Sequence, residues 1–176
     1  MKATGGVQRM RRLCAMTIST VAMLSLAIMA PGTMAQLPDD FYGTYKLLKT
    51  ERKVLDTGEI ETIPGENGFI TYGRDGRMLV LITRGQRPKP ESVAKLTDQD
   101  RIDLFRTMTA YGGSYKFVGD SIEHQIDISW NEVWTGTMQI RDVKMEGDRL
   151  MISTRPGPSG RDGRASVTVL VWEKVK

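Results

Sequence analysis

GFITYGRDGRMLVLITR, residues 68–84, holds two apolar runs on either side of Asp75-Gly76. Glycine supplies the positive φ that tight hairpin turns demand, so Asp-Gly between such runs is a strong short-range hairpin signal. The spacing predicts a strand over 68–73, a turn over 74–77 and a second strand over 78–84. Apolar and polar residues alternate with period two outward in both directions, the mark of half-buried strands.

Upstream, FYGTYKLLKTER (41–52) and EIETI (59–63) read as strands. Downstream, SYKFVG (114–119), SIEHQIDIS (121–129), TMQIRDVKMEG (137–147), RLMISTR (149–155) and ASVTVLVWEKV (165–175) continue the pattern. Gly119-Asp120 and Gly147-Asp148 mark further turns. The segment 84–92 is a loop, because Pro88 and Pro90 block ladder pairing. Gly and Pro make 155–164 a second long connection, whose RDGR repeats that of 74–77. The repeat reads as a recurring turn flanked by solvated arginines, with a duplicated binding motif as the alternative.

One helix interrupts the strands. Thr97 can cap it, and Asp98 and Asp100 suit its positive N-terminal end. Ile102, Phe105 and Met108 share one face, so the helix is amphipathic. Gly112-Gly113 is expected to stop it. About eight or nine strands joined mainly by short turns predict an all-β, antiparallel up-and-down barrel or a sandwich.

The N-terminus has a different character. Lys2, Arg9, Arg11 and Arg12 precede an apolar run from Leu13 to Met29, and Thr33 and Ala35 are small residues before a cleavage point. This is the pattern of a secretory signal peptide over 1–35, with a barrel domain over 36–176. Cleavage after Ala30 and a retained N-terminal anchor are the alternatives. The apolar run is shorter than the roughly 20 residues of a spanning helix, so no membrane span is expected after cleavage. The reading places the mature protein in an exported location, periplasmic or secreted.

The chain carries 25 Lys+Arg against 21 Asp+Glu, but all four basic residues of the leader would leave with it, and 21 would face 21. A balanced domain lacks the basic stripe that nucleic-acid binding needs. Cys14, the only cysteine, also lies in the leader. The mature domain would therefore stand on its core without disulfides. At 141 residues after cleavage that is feasible, since chains near this size bury roughly two-thirds of their unfolded surface.

GTYKLL (43–48) resembles the Gly-x-Trp opening of lipocalin-type barrels, with Tyr45 in place of Trp. GFITYGRDGRM (68–78) resembles a signature of the bacterial and fungal lipocalin-like domain family. Residues 110–154 resemble its second half, with a His on the strand before Trp134, Gly136, Thr137, Gln139 and Arg141. The resemblance covers most of 40–175. It implies a calycin-like β-barrel and no single activity; barrels of this shape commonly bind small hydrophobic molecules.

The only histidine, His124, sits among isoleucines. Strict alternation points Ile122, His124, Ile126 and Ile128 one way, and Glu123, Gln125, Asp127 and Ser129 the other. On 137–147, alternation puts Thr137, Gln139, Arg141, Val143 and Met145 on the inner face. A bulge near Arg141-Asp142 would instead turn Arg141 outward and bring Met138 and Ile140 in. Tyr115 is expected to face in with Phe117. Without the bulge, His124, Gln139, Arg141 and Tyr115 are the few polar groups of an otherwise apolar interior, the usual make-up of a small-molecule site. The alternative is an internal hydrogen-bond network that fixes register. Trp130 and Trp134 either close one mouth of the barrel or pack outside it.

Other chemistry finds little footing. No carboxylate cluster is spaced for a metal, and no nucleophile elbow or phosphate-cradling loop is present. No cofactor and no catalytic residue is assigned. Three functions remain open: an exported barrel for a small hydrophobic or amphipathic, possibly anionic, molecule; a His124-dependent isomerase or cyclase; and an envelope interaction or structural protein with a filled barrel and its functional surface on the loops at 84–92 and 155–164.

Overall fold

The computed structural model describes residues 41–176; the predicted signal segment lies outside them. Ten strands follow one another: β1 (Gly43–Val54), β2 (Ile60–Thr62), β3 (Asn67–Tyr72), β4 (Arg77–Thr83), β5 (Met108–Val118), β6 (Ser121–Ser129), β7 (Met138–Glu146), β8 (Arg149–Thr154), β9 (Gly157–Pro158) and β10 (Ala165–Lys174). Eight of them pair in the order β1-β3-β4-β5-β6-β7-β8-β10, and β10 pairs back with β1. The sheet closes on itself as an antiparallel barrel, which leaves no edge in the main ladder. Short β2 and β9 attach to β1 and β10.

The Gly73–Arg77 turn is built as its residues suggest. Gly76 adopts φ +78°, the Asp75 carboxylate accepts from the Arg77 N–H at 3.0 Å, and the Gly73 N–H donates to the Arg77 carbonyl at 2.8 Å. Register then runs unbroken from Tyr72↔Met78 to Asn67↔Thr83. Ile70, Tyr72, Met78, Val80 and Ile82 all enter the core.

Two bulges change the phase of alternation. On β1 the register to β10 shifts between Leu47 and Lys49. Tyr45 and Leu47 face in before it; Thr50, Arg52 and Val54 face in after it. Between β5 and β6 the register shifts from Gly113↔Ile126 to Gly112↔Ile128, leaving Asp127 as the extra residue. Ile128 therefore turns outward and is 65 % exposed, against the strict alternation expected of it. Gly113 permits this irregularity, because a Cβ there would stand 1.8 Å from the Gln125 carbonyl oxygen.

The helix starts as expected and ends early. α1 spans Asp98–Arg106, with a capping box between Thr97 and Asp100. It stops at Thr107; Met108 already belongs to β5, and Gly112-Gly113 lies inside that strand. The β-branched and aromatic content of 107–111 suits a ladder, and pairing with β4 overrides the helical period. No residue of α1 is buried, so its apolar side chains are not part of the core.

Phe41 plugs the barrel end that holds the β3–β4 turn. Its ring centroid lies 4.8 Å from that of Tyr72 and 4.7 Å from that of Phe117. The opposite end carries the β1–β2 hairpin, the segment with α1, residues 130–137 and residues 155–164.

Candidate functional site

The cross-strand pairs Tyr115↔His124, His124↔Gln139 and Ile122↔Arg141 place all four sequence-selected residues on the inner face. Register along β7 is continuous with both neighbours. No bulge intervenes at Arg141, which therefore faces in, while Asp142, Lys144 and Glu146 face water.

His124 is fully buried. Its Nε2 lies 2.9 Å from the Tyr72 hydroxyl and its Nδ1 lies 3.4 Å from the Tyr111 hydroxyl. A neutral imidazole has one donor and one acceptor nitrogen, so one tyrosine donates and the other accepts. Burial, and then the nearby Arg141 charge, push the His124 pKa down to about 3. Burial also raises the pKa values of Tyr72 and Tyr111. The Tyr72–His124–Tyr111 chain is thus neutral and closed to solvent.

Tyr115 shares the row, but its hydroxyl donates to the Gly73 carbonyl at 2.8 Å. Its ring packs on Tyr72 at 4.8 Å, and burial raises its pKa to about 12. Structurally, Tyr115 ties the β3–β4 turn to the plugged end.

Arg141 is different. Its Nη1 donates to the Ile140 carbonyl at 3.0 Å and its Nη2 to the Gln139 side-chain oxygen. Among the described residues no carboxylate pairs with it. Exposure around the inner wall is uneven. The β3 and β4 faces are shut, each of their inward apolar residues at 4 % or less. On β7, by contrast, Gln139, Arg141, Val143 and Met145 are all half-buried, as are Leu170 of β10 and Thr154 of β8. Val143, Met145 and Leu170 pack against the core cluster, so this wall is an apolar surface with one cationic group.

Two further arginines point inward, and both are paired. Arg84 contacts the buried Glu66 carboxylate at 3.1 Å and donates to Thr109 Oγ1 at 2.9 Å. Arg52 bridges Glu61 at 3.0 Å and Asp162 at 2.7 Å, joining β2 to the 155–164 connection. The Glu66–Arg84 pair follows from extending the β3–β4 register by one residue beyond Asn67↔Thr83. Arg52 could not be found by alternation, because the β1 bulge moves it to the inner face.

Trp130 and Trp134 meet edge-to-face at 4.7 Å. Trp134 packs on Tyr111 at 5.6 Å and Trp130 lies 6.3 Å from Phe105 of α1. The pair thereby connects the helix to the barrel core. Among the described residues no three metal-ligating side chains converge, and no helix is long and apolar enough to cross a membrane.

A closed eight-stranded antiparallel barrel with a few inward polar groups defines a calycin-type domain. A family model described as a lipocalin-like domain matches residues 42–175, and the chain belongs to that family. No curated protein and no solved structure matches it.

Proposed function

We propose that this protein is an exported binding barrel for a small amphipathic molecule whose anionic group is held by Arg141 and Gln139. Arg141 carries the reading: it is an inward, half-buried guanidinium with no carboxylate partner among the described residues. Leaving such a charge uncompensated is costly, and an anionic ligand group would remove the cost. Val143, Met145 and Leu170 supply an apolar wall for the rest of the ligand. Fully buried, with both ring nitrogens engaged, His124 presents no face to a substrate, which favours binding over acid–base catalysis.

Tryptophan fluorescence tests this with a fatty acid and the alcohol of the same chain length. Hydrogen bonds to a charged group are worth about 1.5–3 kcal/mol. Arg141→Met is expected to weaken the acid roughly 10- to 100-fold and leave the alcohol unchanged. Equal affinity of both proteins for the acid, or no response to either probe, would remove the reading.

A further inference from the structure

The connection from β8 to β10, residues 155–164, leaves the barrel one residue beyond Thr154, which stands opposite Arg141. None of its residues is buried, so no apolar side chain anchors it. Its backbone joins β10 through two pairs, Gly157↔Ser166 and Pro158↔Ala165, and proline donates no ladder hydrogen bond. Its other ties to the barrel are arginine and aspartate contacts. Arg155 meets Asp142 at 3.7 Å, Arg161 meets Glu61 at 3.5 Å, and Arg164 meets Asp56 at 3.2 Å and Glu59 at 3.9 Å. Pairs this close to solvent contribute little. Asp162 is the exception. Its Oδ1 accepts from Arg52 Nη2 at 2.7 Å, and Arg52 is an inward residue of β1, only 2 % exposed. To reach it, the turn bends over the barrel end. Arg52 also holds Glu61 of β2 at 3.0 Å. A buried guanidinium strongly resists losing its only carboxylate; one with two can release Asp162 and stay paired.

We propose that residues 155–164 form a strap over the mouth beside Arg141, with Asp162 on Arg52 as its latch. Phe41 plugs the other end of the barrel, which leaves this mouth as the way in. Opening the strap admits or releases an anionic amphiphile. What passes the strap rests on the ligand reading of Arg141; the latch itself does not. Segments with few buried apolar contacts open locally at low free energy, and such openings set the rate of ligand exchange in many proteins. Hydrogen bonding to Arg52 holds the Asp162 carboxyl below the usual carboxylate range, so the latch keeps its charge at neutral pH. The strap's ionic contacts go to β1, the β1–β2 hairpin and Asp142, not to the Arg141 guanidinium. It therefore acts on rates and leaves affinity alone.

Asp162→Asn tests this, because asparagine keeps an oxygen for the Arg164 N–H, 3.1 Å away, and removes only the charge. Hydrogen exchange is read at Ser159 and Gly163, whose amides close the strap's turn, and at Leu55, which donates to the Ala165 carbonyl. Exchange there is expected to quicken about tenfold, the range for losing one hydrogen bond to a charged group. Exchange at Val80 and Ile126 in the barrel wall stays unchanged. In stopped-flow mixing with a fatty acid, association and dissociation rise by the same factor and the affinity holds. Glu59→Gln, which removes an exposed partner of Arg164, alters neither measurement. Unchanged exchange in Asp162→Asn would overturn the latch. Faster exchange without faster ligand kinetics would overturn the strap's control of the mouth. If the fatty acid binds neither protein, the Arg141 site fails, and the exchange result alone decides the latch.

Discussion

His124 shows how far a single residue can be read. Alternation placed it inside, and the barrel confirms that position. Of its partners, Tyr72 lies three strands away and approaches only as the sheet curls, while Tyr111 sits diagonally on the neighbouring strand beyond an irregular register, so no local pattern names them. The environment has a measurable consequence. His124 titrates at 6.5 in the absence of perturbation and at about 3 in the barrel. Between those values the unfolded chain holds a proton that the native chain refuses. Stability from this residue is therefore intact above about pH 6.5 and declines as pH falls towards 3, by up to about 5 kcal/mol. The buried tyrosines act at the other limit: their raised pKa values mean that stability declines above pH 10. Urea midpoints measured across pH should show both limbs, and His124→Gln should flatten the acid one. Arg141 was legible as inward or outward depending on one bulge. The ladder decides the matter, because a bulge is a backbone event that side-chain patterns record only indirectly.

At the level of elements, strands and turns were readable because period two and Asp-Gly turns both act locally. Local patterns mislead where tertiary pairing overrides local preference. The helix was expected to run to Gly112-Gly113, yet β4 recruits residues from Met108 onward into β5. Those two glycines serve close approach between strands, not helix termination. Gly113→Ala should cost about 3 kcal/mol, since its Cβ would strike backbone at 1.8 Å and force the bulge to move. Gly76→Ala, with open space but φ +78°, should cost only about 1–2 kcal/mol. Thermal denaturation of the two variants distinguishes steric crowding from turn strain. Strict alternation misplaces Ile128 and would misplace Arg52 for one shared reason: each follows a bulge.

For the whole molecule, the barrel class followed from the order of strands and the family from the motifs at 43–48, 68–78 and 110–154, but which inner faces are fully buried did not. Which inner wall is shut depends on how eight strands share a limited interior, a property of closure. Export is a whole-molecule prediction resting on the leader. Expressed with its N-terminus intact in a bacterial host, the protein is expected outside the cytoplasm and beginning at Gln36, as read by N-terminal sequencing. Retention in the cytoplasm with Met1 or Lys2 leading would remove that reading.

Closure between β1 and β10 also sets a timetable. Val54 ends the first strand, and Ala165 opens the strand that completes its long ladder. At cellular translation rates of about 5–20 residues per second, roughly 6–20 s separate the two. Throughout that interval the N-terminal strand lacks its lateral partner, and the native interior cannot be sealed. Local hairpins such as the one at Asp75-Gly76 can form early, but the assembled cylinder must await the last residues of the chain. A nascent protein of this topology stays threadable until synthesis is nearly complete, a kinetic window in which a translocation channel can accept it.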